Sequence, residues 1–208
     1  MIWDTLAQFP AQQLLAFMAG ALVLNLTPGQ DVLFASACGI QDGPRAGALA
    51  GLGVGIGGSA HVAFCALGLG ALVAAQPGAL AAIKSLGAVY LLILAWKSWH
   101  ATPTDNAAQP ARSPGNLVGR GALANLLNPK PILFLLAFLP QFTRPEYGPV
   151  GQQVLALGLM FVCSGTLVTM GYGMAAGLAG RAMAARMRVV NRLASVLFAG
   201  LALRLVWK

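Results

Sequence analysis

Long apolar runs, separated by short polar connections, make up most of the chain. Runs of about 20 apolar residues have the length that a helix needs to cross the hydrocarbon core of a bilayer. Six such segments are apparent, at roughly 14–40, 46–75, 80–99, 117–139, 150–178 and 189–206. None has the period-2 alternation of a transmembrane barrel strand. The pattern therefore predicts an all-α, polytopic membrane protein with six transmembrane helices.

Two of the six segments are interrupted by proline at similar places. The stretch "NLTPGQDVLF" occupies residues 25–34 in the first segment, and "NLLNPKPILF" occupies residues 125–134 in the fourth. Proline removes a backbone donor and clashes with the preceding turn, so it breaks or kinks a helix. The residues predicted to break these two helices are Pro28, Gly29, Pro129 and Pro131.

A polar, Pro-rich stretch between the third and fourth segments divides the chain into two halves. The predicted organisation is a first three-helix repeat over residues 1–105, a cytoplasmic linker over 106–116 and a second three-helix repeat over 117–208. Each half begins with a broken helix, and its odd number of crossings makes the second half enter the membrane from the opposite face. The predicted architecture is therefore two inverted repeats, which in transporters place the substrate site near the middle of the membrane.

Basic residues lie mainly in the connections and predict how the chain is oriented. The net charge is +8, yet only 9% of the residues are charged, against about 25% in a soluble domain. The first, third and fifth connections hold Arg45, Lys97, Arg112, Arg120, Arg181, Arg186, Arg188 and Arg192. The opposite side holds Lys84, Arg144, Arg204 and Lys208. The larger set is expected in the cytoplasm, with both termini outside, and topology rather than a nucleic-acid partner explains the basic residues.

The cysteines and the missing motifs argue against enzymatic chemistry. Cys38, Cys65 and Cys163 are odd in number and lie inside apolar segments, so they predict no disulfide framework. The sequence has no HExxH motif, no paired His/Cys spacing and no convincing Ser-His-Asp set. We therefore expect no enzyme, metal site or cofactor. A membrane thiol-disulfide relay through Cys38 and Cys163 stays open as an alternative.

Asp31 and Lys130 are the two charges in the middle of the membrane segments, beside the helix breaks. Ionisable residues at that depth are costly and usually face a cavity, pair with each other or take part in ion movement. Asp31 could take up a proton or bind a cationic group, and Lys130 could pair with it or bind the anionic end of a substrate. The alternatives are that Asp31 caps its own helix at an interface and that Lys130 snorkels towards one.

Polar residues beside the two breaks complete the predicted site. Freed backbone groups and side-chain amides offer both donors and acceptors there. The residues predicted to bind substrate or couple its transport are Asp31, Lys130, Asn25, Thr27, Gln30, Asn125 and Asn128. For the asparagines and Thr27, a purely structural capping role is the alternative.

The second segment carries small residues at four-residue spacing. Gly47, Gly51 and Gly55 predict close helix packing, which we expect to be against a broken helix. The packing could lie within one chain or between two, so a homo-oligomer stays open. His61 lies in the same segment. A lone histidine without a nearby acid is typical of a packed, hydrogen-bonded residue more often than of a proton relay.

These residues together resemble the LysE-type amino-acid exporters, in particular their homoserine/threonine and leucine exporter branch, RhtB. The resemblance covers nearly the whole chain and rests on "TPGQD" at 27–31, "GPRAGALAGLGVGIG" at 43–57, "GAVYLLILAWKSW" at 87–99, "NLLNPK" at 125–130 and "LPQF" at 139–142. Two departures stand out: Gln30 replaces a second proline that the family commonly has, and Ala95 replaces a frequent glycine.

The resemblance implies a transporter in the bacterial inner membrane, where the distribution of basic residues predicts both termini in the periplasm. It would export amino acids or their derivatives and be driven by protons. On this hypothesis, deprotonated Asp31 binds the ammonium group of the substrate, and protonation of Asp31 from outside displaces it. Export of another small solute or a cation is the alternative within the transporter class.

Overall fold

A computed structural model describes residues 2–76 and 114–179, together with isolated positions between 82 and 100 and between 192 and 203. The predicted third and sixth segments, apart from those positions, and most of the predicted linker lie outside the described residues. Every regular element in the described ranges is helical. The elements are α1 (Ile2–Ala7), α2 (Ala11–Leu26), α3 (Gln30–Asp42), α4 (Pro44–Ala75), α5 (Pro114–Leu126), α6 (Pro129–Phe142), a 3-10 turn (Pro145–Tyr147) and α7 (Val150–Ala179).

Both predicted helix breaks are confirmed. Helices α2 and α3 meet at an angle of 52°, and α5 and α6 meet at 56°. In the first break the backbone of Thr27 and Gly29 is extended on either side of Pro28. In the second, Asn128 is extended and its side chain accepts a hydrogen bond from the backbone N–H of Lys130. Each break therefore ends one helix and begins another, rather than merely kinking a continuous helix.

Two of the described helices, α4 over Pro44–Leu69 and α7, are long and apolar enough to cross a membrane. Each bent pair satisfies the same criterion as one broken span, which raises the number to four. The predicted second and fifth segments correspond to α4 and α7. The short helix α1 lay outside the predicted segments, because it is too short to span a bilayer. The fold is that of a helical, multi-pass membrane protein.

Helix α4 lies between α7 and α5, and its glycines allow both neighbours to approach its backbone closely. A Cβ atom added at Gly47 would overlap the backbone of Gly173 in α7, and one at Gly51 would overlap Met170. A Cβ at Gly55 would meet the side chain of Thr166. Close packing by this stripe is as predicted. The expected partner, a broken helix, is wrong because the stripe packs against α7, which is unbroken.

The neighbouring glycine stripe supplies the contact with a broken helix. A Cβ added at Gly53 would overlap the carbonyl of Val118, and one at Gly57 would lie 2.6 Å from the carbonyl oxygen of Ala122. Both partners belong to α5, the first half of the second bent pair. Two stripes on one helix therefore let α4 hold two neighbours at backbone distance, as small residues allow in membranes.

Aromatic rings fill the core at one end of the bundle. Phe134 stacks on Phe161 with ring centroids 5.6 Å apart and on Phe138 at 4.7 Å. Phe17 contacts Phe138 and Phe142 at 5.4 and 5.3 Å. These rings connect α2, α6 and α7. They close the side of the bundle on which α2 begins and α6 ends.

Two glutamines fasten the connection between α6 and α7 at that same end. Gln153 is fully buried, donates to the carbonyls of Arg144 (2.8 Å) and Gly148 (2.7 Å), and accepts from the N–H of Arg144 (3.1 Å). Gln13 of α2 donates to the carbonyl of Phe142 (2.6 Å) and accepts from the hydroxyl of Tyr147 (3.2 Å). The connection is therefore tied to α7 and to α2.

Candidate functional site

A cavity lies where the two helix breaks meet. Its volume is about 610 Å³, including the space at its open mouth. The lining residues are Leu24, Asn25, Thr27, Gly29, Asp31, Val32, Val54, Gly55, Gly58, Asn125, Lys130, Pro131, Leu135, Phe161, Val162, Gly165, Thr166 and Thr169. Helices α2 to α7 all contribute.

Asp31 stands in the first turn of α3 and is held by side chains from the other break. Asn125 donates from Nδ2 to Oδ2 of Asp31 at 2.9 Å, and Asn128 donates from Nδ2 to Oδ1 at 3.3 Å. The N-cap of α3 is Gly29, and no side chain caps this helix. The alternative that Asp31 caps its own helix is therefore wrong, because Gly29 is the N-cap and both amide partners of Asp31 belong to the second broken pair.

Lys130 reaches back to the first break. Its backbone N–H donates to Oδ1 of Asn128 at 3.0 Å, which fixes the start of α6. Its ammonium lies so close to Gly29 that a Cβ atom added there would be 3.1 Å from Nζ. Lys130 and Asp31 line the same cavity. Lys130 therefore points into the site instead of snorkelling towards an interface.

Two further predicted residues, Asn25 and Thr27, are bonded to backbone near the first break. Asn25 donates from Nδ2 to the carbonyl of Phe161 (3.2 Å) and to the hydroxyl of Ser164 (2.9 Å), which ties α2 to α7. Thr27 donates its hydroxyl to the carbonyl of Val23 at 2.7 Å and is buried. Both line the cavity.

The remaining predicted residues divide between the cavity and the surface. Gly29 and Pro131 line the cavity, and Pro28 is partly buried. Pro129 and Gln30 are exposed and do not line the cavity. The break thus turns Gln30 away while its neighbour Asp31 faces the site.

Helix α7 supplies polar residues that the sequence analysis missed. Thr166 and Thr169 line the cavity, and the hydroxyl of Tyr172 donates to the carbonyl of Leu26 at 3.0 Å. That carbonyl lies at the end of α2, where the break leaves it without a helical partner. No proline or charge marks this part of α7. The available signal was a cluster of hydroxyl residues in an otherwise apolar segment.

The cysteines of the redox alternative lie away from this site. Cys38 is buried and Cys163 is exposed, and both are free. Neither lines the cavity. The described residues thus give a helical membrane protein whose central cavity carries one carboxylate, one ammonium, several amides and hydroxyls, and an apolar wall. This combination of groups is suited to binding a small polar solute.

Comparison with known proteins gives the family. A family model described as LysE type translocator matches residues 22–208. A homoserine/homoserine lactone efflux protein of Salmonella typhi is 34% identical over 161 residues, which cover 76% of this chain and 77% of the relative. A leucine efflux protein of Salmonella choleraesuis is 33% identical over 204 residues, covering 91% and 92%. The chain belongs to the LysE type translocator family.

Other comparisons add little about the ligand. An uncharacterised membrane protein of Vibrio cholerae is 35% identical over 173 residues, or 80% of this chain and 82% of that one. No solved structure matches the chain. Membership of a translocator family makes the protein a membrane transporter and not an enzyme.

Proposed function

We propose that this protein exports amino acids or their derivatives across the bacterial inner membrane in exchange for protons. The observation that carries the proposal is that Asp31 and Lys130, one from each helix break, face the same cavity. An amino acid in its zwitterionic form presents one cation and one anion on neighbouring atoms. The names of the Salmonella relatives, which are efflux proteins for homoserine, its lactone and leucine, favour the same class of substrate.

Each end of the zwitterion has a partner of the right kind. Asp31 accepts hydrogen bonds from the ammonium group, because two neutral amide donors leave part of its acceptor capacity unused. Lys130 binds the carboxylate as a point charge, near the N-terminus of α6. A bare cation fits less well, since Lys130 would repel it.

The rest of the cavity favours an uncharged side chain on the substrate. Leu24, Leu135, Phe161 and Val162 form an apolar wall, and Thr166 and Thr169 add hydroxyl groups. Among the residues that line the cavity, Asp31 is the one acidic group and Lys130 the one basic group, and the backbone ends of the substrate use both. The substrate class is therefore neutral amino acids with an apolar or hydroxylated side chain.

The proposed architecture is six spans in two inverted repeats, with both termini in the periplasm. The two bent pairs run in opposite directions. Gln13 near the start of α2 bonds to Phe142 at the end of α6, while Arg120 of α5 lies 5.9 Å from the ring of Phe34 in α3. An antiparallel pair of broken helices is what an inverted repeat produces.

Substrate export becomes coupled to proton entry if the substrate and the proton compete for Asp31. Deprotonated Asp31 binds substrate ammonium from the cytoplasm, the two halves rock, and a proton from the periplasm displaces the substrate. A site that holds either ligand but not both exchanges one for the other.

The test is export from proteoliposomes under an imposed pH gradient, across a panel of neutral, acidic and basic amino acids. Wild-type protein is expected to move neutral amino acids, and Asp31→Asn to lose gradient-driven export. Gln30→Ala is the matched control, because Gln30 adjoins Asp31 in sequence but lies outside the cavity. Full gradient-driven export by Asp31→Asn, or no movement of any amino acid by folded wild type, would contradict the proposal.

A further inference from the structure

His61 of α4 is buried beside the site and has an unused ring nitrogen. Its exposed fraction is 4%, and Nε2 lies 3.1 Å from the backbone carbonyl oxygen of Asn125. A carbonyl only accepts, so Nε2 carries the hydrogen of this bond. In the neutral ring Nδ1 is then an acceptor. This buried atom has no hydrogen-bond partner among the described residues.

Asn125 connects the histidine to the carboxylate of the transport site. Its backbone carbonyl accepts from His61, and its side-chain Nδ2 donates to Asp31 at 2.9 Å. Its own Oδ1 is a second buried acceptor without a donor. The fold therefore places a titratable base one residue away from the acid, which the sequence spacing of His61 and Asp31 does not suggest.

Among the residues that the structure describes, few charged or titratable groups surround His61. In these ranges, Asp31 on α3 and Lys130 at the start of α6 are the charged groups that face this region. Helix α7 packs here with Gly158 against Val62, next to His61 in α4, and with Val162 against Gly58. Cys65 lies one turn further along α4 and is buried. A charge on His61 would thus act chiefly on Asp31 and Lys130.

We propose that His61 is a second proton-binding group of the transport cycle, linked to Asp31 through Asn125. In neutral His61, Nδ1 is a buried acceptor without a donor, which is unfavourable and leaves this nitrogen available to take up a proton. The imidazolium adds a positive charge next to the carboxylate that holds the substrate ammonium. Protonation of His61 therefore weakens substrate binding and favours release on the acidic side. This inference rests on the proposed function.

Its test uses His61→Gln, whose amide can still donate to the carbonyl of Asn125 but cannot take up a proton. Substrate counterflow, which needs no proton gradient, is measured in proteoliposomes between pH 5 and 8. The number of protons moved per substrate is measured separately under an imposed pH gradient. We expect the variant to retain counterflow, to show a flatter loss of apparent affinity as the pH falls, and to move fewer protons per substrate. A pH profile and proton ratio identical to those of wild type would overturn the role of His61.

A second measurement covers the case in which His61→Gln does not fold. The protein has two histidines, so an otherwise native His100→Gln variant leaves His61 as the one imidazole for nitrogen NMR. We expect its Nδ1 to become protonated in the same pH range and leucine or homoserine to shift that titration. An Nδ1 chemical shift that changes neither with pH nor with added substrate would overturn the inference. Failure of wild-type counterflow for every amino acid would instead overturn the proposed function.

Discussion

The side chain of Asn125 donates a hydrogen bond of 2.9 Å to the carboxylate of Asp31, 94 positions away in the sequence. This bond joins the two helix breaks at their most polar point. Each broken pair alone would leave an amide or a carboxylate facing the bilayer, where polar groups need an internal partner. The acid of one half and the amides of the other half therefore stabilise each other, and the site exists only when both halves are in place.

Removing the amide of Asn125 should weaken substrate binding. Hydrogen bonds to charged groups contribute about 1.5–3 kcal/mol, so Asn125→Ala should raise the apparent dissociation constant roughly ten- to hundredfold. Asn128→Ala should have a smaller effect, because its bond to Asp31 is longer, at 3.3 Å. Equilibrium binding of radiolabelled leucine or homoserine in detergent is the measurement. Equal affinity of Asn125→Ala and wild type would mean that this bond does not orient Asp31 for the substrate.

A methyl group at Gly29 should displace the ammonium of Lys130. The added Cβ would lie 3.1 Å from Nζ, at the flexible end of the side chain, so Gly29→Ala should fold but bind its substrate more weakly. Gly119→Ala is the control, because a Cβ there meets nothing within 4 Å. Amino-acid amides, which lack the carboxylate, test whether the loss of affinity arises from Lys130. If Lys130 binds that carboxylate, the amides should lose less affinity than the parent amino acids.

The contact between α4 and α7 should be sensitive to a single methyl group. Gly47→Ala would push a Cβ atom into the backbone of Gly173, and overpacking of this kind costs about 1–3 kcal/mol. Gly68→Ala in the same helix is the matched control, since its Cβ would enter open space. Removing a helical glycine there should leave stability unchanged or raise it by about 0.5–1 kcal/mol. Thermal unfolding in detergent compares the two, and equal midpoints would contradict the proposed packing.

Replacing Gln153 should destabilise the connection between α6 and α7. Gln153→Leu removes the partners of the Arg144 carbonyl, the Gly148 carbonyl and the Arg144 N–H. A buried polar group left unsatisfied costs about 1–3 kcal/mol, so a marked fall in thermal stability is expected. The neighbouring variant Gln152→Leu provides the comparison, because Gln152 is exposed. Proteolysis within residues 143–149 should rise for Gln153→Leu alone.

The helices could be predicted where the hydropathy or proline pattern that specifies them is local in the sequence. Segment positions 14–40, 46–75, 117–139 and 150–178 correspond to α2 with α3, α4, α5 with α6, and α7. Both breaks could be found because proline and its neighbours act on the backbone within one turn. The predicted linker, the third segment and the sixth segment remain predictions, since they lie largely outside the described residues. The partner of the Gly47 stripe was not predictable, because small residues indicate close approach without saying to which helix.

The amino-acid sequence by itself determined that the chain is helical, crosses a membrane, breaks two of its helices and carries Asp31 and Lys130 at those breaks. Each of these follows from local hydropathy, backbone chemistry and charge. Only the tertiary structure decided that Asp31 takes its partners from the opposite break, that Gln30 faces away and that Thr166 and Thr169 line the cavity. It also linked His61 to Asp31 through Asn125. These relationships depend on how helices distant in sequence pack and rotate against one another, and no local pattern encodes that rotation.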